Sequence, residues 1–152
     1  MSSLASPTPG PDQEAQRAIL YAVMVVALVT VIRVVYLAGE RFPLYGDEAQ
    51  YWVWSTELDW GYYSKPPMIA WLIHATTSLV GVREMGVRLS APLLHAGTAM
   101  VLLAIGTRLF NARVGAWTAL VYATLPAVSL ASMVMSTDSP LLFFWAVGLL
   151  CY

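Results

Sequence analysis

The stretch AILYAVMVVALVTVIRVVYLA, residues 18–38, decides the fold. It is apolar over about the 20 residues that cross a hydrocarbon core, with Thr30 and Arg33 as interruptions. A signal-peptide apolar region is shorter, roughly 7 to 15 residues, so residues 18–38 are expected to be a first, uncleaved transmembrane helix. Upstream, residues 1–17 carry Pro7, Pro9 and Pro11 among small polar residues, a composition expected to give a disordered tail.

Downstream, residues 39–87 change character. The acids Glu40, Asp47, Glu48, Glu57, Asp59 and Glu84 fall there, with a dense group of Trp and Tyr between Tyr45 and Tyr63. This is expected to be a long extramembrane loop. Within it, Met68 to Val80 is apolar, follows Pro66-Pro67 and stops before Gly81, the pattern of Pro in a first helical turn and Gly past the end. It is too short to span, so an interfacial helix is expected. A second span is read over residues 88–109 and, after a tight turn at Asn111 to Arg113, a third over residues 114–135. Ser136-Thr137-Asp138-Ser139-Pro140 breaks that helix, and residues 141–152 begin a fourth that stops after twelve apolar residues, as if cut.

The whole composition agrees with an all-α polytopic membrane protein. Of 152 residues, 59% are apolar and 11% charged, and mean hydropathy is +0.65. Soluble chains carry roughly 25% charged residues. A net charge of −1 without a Lys/Arg run leaves no footprint for nucleic acid. Cys151 is the single cysteine and lies in an apolar run, and no Cys/His spacing of zinc-site type occurs. Arg108 and Arg113 flank the short turn, whereas the long loop is net acidic, so the turn and the N-terminus are expected on the cytoplasmic side. Either orientation puts the 39–87 loop and Asp138 on one side.

Three places can carry chemistry. Asp47 and Glu48 lie just past the first span, where one carboxylate can act as a general base and the other orient it or hold an ion. They also suit the N-cap and first-turn acid of a short helix, and the two roles are compatible. Lys65, the single lysine, follows Tyr62-Tyr63-Ser64 and precedes the Pro pair. It can contact a lipid phosphate at headgroup level, with Tyr62 adding a hydrogen bond, or it can simply snorkel within an aromatic belt. Asp138 is an acid between two apolar runs, either a helix cap or a functional group facing the interior. Arg33 can snorkel or pair with an acid or phosphate. Trp52, Trp54, Trp60 and Trp71 read as interfacial anchors or sugar platforms, and the spacing of His74 and His95 gives no metal signal. No phosphate-cradling, dinucleotide or zinc-protease motif is present, so a soluble nucleotide donor has no visible anchor.

The order of these segments resembles the GT-C class of membrane glycosyltransferases, specifically glycosyltransferase family 39 and its aminoarabinose-transferase-like relatives. The matching residues are Leu44-Tyr45-Gly46-Asp47-Glu48-Ala49-Gln50-Tyr51-Trp52, Tyr62-Tyr63-Ser64-Lys65-Pro66-Pro67-Met68, Glu84-Met85-Gly86-Val87-Arg88-Leu89 and Ser136-Thr137-Asp138-Ser139-Pro140. The resemblance implies transfer of a sugar from a polyprenyl-phosphate carrier to a glycan, lipid or protein acceptor on the extracytoplasmic face, in a bacterial inner membrane. It implies catalytic acids at Asp47, Glu48 and Asp138, and donor-phosphate contacts from Lys65 and Tyr62. Some relatives carry Glu before the lysine and bind a divalent metal there; this chain has Ser64, and no metal or other cofactor is assigned. The family's many spans and outer domain imply that these residues alone are inactive. The alternative is a non-enzymatic membrane module that holds or moves a lipid-linked sugar.

Overall fold

The computed structural model describes residues 10–39 and 42–152. Within them the fold is all-α: α1 (Pro11–Leu37), α2 (Gly46–Thr56), α3 (Met68–Val80), α4 (Glu84–Arg88), α5 (Ser90–Leu109), α6 (Ala112–Thr124), α7 (Pro126–Ala131) and α8 (Asp138–Cys151). Two segments are long and apolar enough to cross a membrane, Asp12–Leu37 and Glu84–Leu109, each of 26 residues.

Residues 1–9 of the expected tail lie outside the described residues, and its remainder is corrected: the chain is helical from Pro11. Proline at the first helical position lacks only an N–H that would be unpaired anyway, and Asp12 and Glu14 suit the positive end of the helix. One side of α1 is buried through Ala22, Val26, Arg33 and Leu37. Leu20, Met24, Leu28, Val31 and Val35 are exposed on its other sides. A helix that is apolar all round, with so much of it uncovered, suits a hydrocarbon surrounding rather than water.

α5 is the central element, packing against α1, α6 and α8. Its crossing with α6 is set by two glycines. A Cβ on Gly106 would stand 2.8 Å from the Gly115 Cα, and one on Gly115 would strike Thr107 Oγ1 and stand 2.5 Å from the Leu103 carbonyl oxygen. Backbone meets backbone here, so nothing flexible can yield. Gly115→Ala should therefore cost about 1–3 kcal/mol, read as a lowered midpoint of thermal unfolding in detergent. Gly148→Ala, where a Cβ meets nothing within 4 Å, is the control; equal effects would remove the close crossing as the cause.

The expected single helix over residues 114–135 is two. Pro126 has no N–H to offer the Tyr122 carbonyl, and the residue before it is pushed out of helical geometry: Leu125 takes φ −55 and ψ 132. The chain restarts as α7 and then turns through residues 132–137. The break strands carbonyls inside the bundle, and Arg33 of α1 answers it. Its buried guanidinium donates to the Ala123 carbonyl at 2.6 Å and to Ser129 Oγ at 3.0 Å.

The expected helix over Met68–Val80 forms with those bounds, and Gly81 past its end takes φ +95, a conformation that glycine adopts without strain. Together with α2 it covers the start of α5. Tyr51, Ile69, Ile73, Val87, Ala91 and Met135 form the buried cluster that joins these elements.

Candidate active site

The centre of this end of the molecule is the Glu48 carboxylate, fully buried. Each of its oxygens accepts two hydrogen bonds. Oε1 takes Arg88 Nε at 2.9 Å and the Met135 backbone N–H at 2.8 Å; Oε2 takes Arg88 Nη2 at 2.6 Å and the Tyr45 backbone N–H at 3.0 Å. Arg88 gives two further hydrogen bonds, from Nη1 to the Phe42 carbonyl and from Nη2 to the Pro43 carbonyl, each at 3.0 Å. One ion pair thus ties the segment after α1, the first turn of α2, the end of α4 and the turn before α8.

Tyr45, not Asp47, stands at the N-cap of α2, and Glu48 reaches back to its N–H. Asp47 is therefore exposed in the first turn and spends no hydrogen bond on capping. Asp138 likewise opens α8 after Thr137 without a side-chain cap bond; its own N–H donates to Ser136 Oγ at 3.3 Å. Both acids act on one phenol. Burial, and then the negative charges of Asp47 and Asp138, raise the Tyr51 hydroxyl above its ordinary range. The Met135 N–H bond to Glu48 holds the turn before Asp138 against the first turn of α2, so the segments that carry Asp47 and Asp138 meet although 91 positions separate the two acids in the chain.

Lys65 is half-buried at the entrance to α3, and its ammonium forms no ion pair among the described residues. Directly after it, Pro66, Met68 and Ile69 face Thr137, Pro140 and Trp145 across an apolar cleft of about 320 Å3. The lysine loop and the Asp138 turn therefore rim one opening. Tyr62 does something else with its hydroxyl. It accepts the Asp59 N–H at 3.1 Å, approaches the Trp54 and Glu57 carbonyls at 2.9 Å each, and its ring stacks on Trp54 at 5.0 Å. It shapes the loop that carries Lys65.

The two histidines are satisfied by neighbours. His74 Nδ1 lies 2.9 Å from the Ser55 carbonyl, and buried His95 bridges Tyr122 at 2.8 Å and Ser139 at 3.4 Å. No group of three or more His, Cys, Asp or Glu side chains able to hold a metal occurs among the described residues. Arg88 is the residue that sequence reasoning passed over. Its only signal was its place in the Glu84-to-Leu89 motif, since its partner is 40 positions away.

Comparison with known proteins decides the family. The model of the dolichyl-phosphate-mannose-protein mannosyltransferase family matches residues 64–152, more than half of the chain. The chain belongs to that family. This mannosyltransferase family is of the GT-C-like membrane type that the motifs resemble. A lipid A galacturonosyltransferase, RgtD, of Rhizobium johnstonii is 48% identical over 124 residues, which is 81% of this chain and 26% of the relative. The chain thus spans about a quarter of the length of that relative. No solved structure matches it significantly. The family match begins at Ser64 and takes in Lys65, the cleft and Asp138. Asp47, Glu48 and the N-terminal helix fall outside it, but the long alignment to the galacturonosyltransferase cannot be accommodated in residues 64–152 alone, so part of the N-terminal region is shared with that protein.

Proposed function

We propose that this chain supplies the donor-phosphate and base residues of a polytopic bacterial inner-membrane glycosyltransferase that uses a polyprenyl-phosphate sugar. The observation that supports the reading is that the first turn of α2, the turn before Asp138 and the Lys65 loop meet at one end of an apolar bundle. In this reading α1, the α4–α5 segment, the broken α6–α7 pair and α8 cross the membrane, the N-terminus is cytoplasmic, and α2 and α3 lie on the outer surface.

The chemistry needs a sugar C1–O bond to phosphate to break and a new C1–O or C1–N bond to the acceptor to form. The transition state is oxocarbenium-like, so it asks for a base on the acceptor and positive charge on the departing phosphate. Asp47 takes the acceptor proton, Asp138 sits with it as the second acid, and the Lys65 ammonium faces the lipid phosphate that leaves. The apolar cleft beside Lys65 suits the first isoprene units of the carrier. Glu48 is a positioning residue in this reading: its oxygens are filled, and it fixes Asp47 one residue away and Asp138 three residues past Met135. Tyr62 contributes through the shape of the Lys65 loop.

The test is transfer by the complete protein in proteoliposomes with a labelled polyprenyl-phosphate sugar. A galacturonosyl donor and a lipid A acceptor are the first pair to try, because the relative bears those names. Labelled acceptor is the expected result; binding of the donor headgroup without any transfer would establish the non-enzymatic module instead. In the same assay Lys65→Ala should raise the donor KM at least tenfold while Lys65→Arg retains most activity. Unchanged donor kinetics in the alanine variant would remove Lys65 from the site.

A further inference from the structure

A second site lies at the other end of the bundle, where α5, whose 20 residues rise about 30 Å, delivers the chain to the α5–α6 turn. There the first turns of α1 and that turn enclose a cleft of about 540 Å3, with Glu14, Arg17, Asn111 and Arg113 on its polar wall. Asn111 Oδ1 accepts the Val114 N–H at 3.0 Å, which leaves the amide NH2 as a donor. Arg17 and Arg113 are exposed, and neither forms an ion pair among the described residues. Two guanidinium groups against one carboxylate leave the wall with a single net positive charge.

Arg17 also belongs to a neighbouring groove of about 570 Å3 that continues along α1 past Ile19, Leu20 and Val23. Leu20 is 58% exposed, so this groove offers uncovered apolar surface that starts where the charged wall ends. A free phosphate would use only the cleft. An amphiphile with an anionic head uses both.

We infer that this composite site binds an anionic phospholipid, its phosphodiester held between Arg17 and Arg113 and one acyl chain lying along Leu20 and Val23. Guanidinium forks match the two free oxygens of a phosphodiester, and a net single negative charge balances the wall. A choline headgroup would instead bring a cation toward two arginines. The site is separate from the Lys65 cleft and on the opposite side of the bundle. It rests on the reading that the bundle crosses a membrane, which would put the α5–α6 turn at headgroup level.

The complete protein, purified in detergent and stripped of lipid, is titrated with phosphatidylglycerol and with phosphatidylcholine, and retained lipid is counted by native mass spectrometry. Phosphatidylglycerol should be retained at least tenfold better, and R17Q/R113Q should abolish the preference without moving the thermal unfolding midpoint. Arg113→Gln alone, expected to lower retention severalfold, serves if the double variant folds poorly. Equal retention of both lipids by the parent, a preserved preference in the variants, or displacement of phosphatidylglycerol by equimolar inorganic phosphate would each overturn the proposal. Failure of the membrane reading looks different: the same protein, mixed with vesicles of either lipid as detergent is removed, would then stay out of the vesicle fraction.

Discussion

Glu48→Ala is expected to destabilise the complete protein by about 3–5 kcal/mol, because it leaves the Arg88 charge buried and unpaired. Two backbone donors, Tyr45 N–H and Met135 N–H, lose their acceptor as well. Glu48→Gln should be nearly as damaging. Every partner of the carboxylate is a donor, so the amide NH2 must face two of them whichever way it is turned. Glu48→Asp falls short by one methylene and should recover little. The pair E48L/R88M removes both charges and should stand between the parent and Glu48→Ala, held back by the stranded carbonyls of Phe42 and Pro43. Thermal unfolding in detergent measures all four. If the double variant were less stable than Glu48→Ala alone, an unpaired buried guanidinium would not be the source of the loss.

Asp47→Asn should separate chemistry from folding at the very next residue. Loss of a positioned base costs typically 10²–10⁴-fold in rate, and transfer by the complete protein should fall by about that much. Stability should stay within about 0.5 kcal/mol, as for a surface substitution away from any packed feature, since the Asp47 carboxylate holds nothing in place. Removing its charge also relieves Tyr51: the phenol should titrate at lower pH than in the parent, while burial keeps it above its ordinary range. Tyrosinate absorbance in a pH titration reads this change. Transfer at the parent's rate would end the assignment of Asp47 as base. A rate loss accompanied by unfolding would instead place Asp47 with Glu48 among the residues that hold the site.

What could be read from the sequence was local. Pro66-Pro67 and Gly81 are the punctuation of α3, and both of its ends fall where those residues put them. The acidic loop and the turn before Asp138 do meet, through the Met135 N–H bond to Glu48. The break at Leu125-Pro126 was also local and could have been read, but a long apolar run masked a proline whose missing N–H ends α6. The Glu48–Arg88 pair was of another kind. No periodicity links residues 40 apart, and adjacent Asp47 and Glu48 look alike as letters while one is exposed and the other fully enclosed. Cap assignment failed for the same reason: Asp47 is a favoured capping residue, but tertiary placement of Glu48 let Tyr45 take that position.

The spacing of the Glu48 partners also bears on the order of synthesis. Arg88 emerges 40 residues after it and Met135 another 47 later. Until the turn before α8 has left the ribosome, the carboxylate has at most three of its four donors, and the acidic loop remains incompletely fastened. The segments of Asp47 and Asp138 therefore come into register late, only once the turn before α8 has emerged, so a nascent chain still short of Met135 carries Asp47 and Lys65 but not yet the contact that joins the two segments.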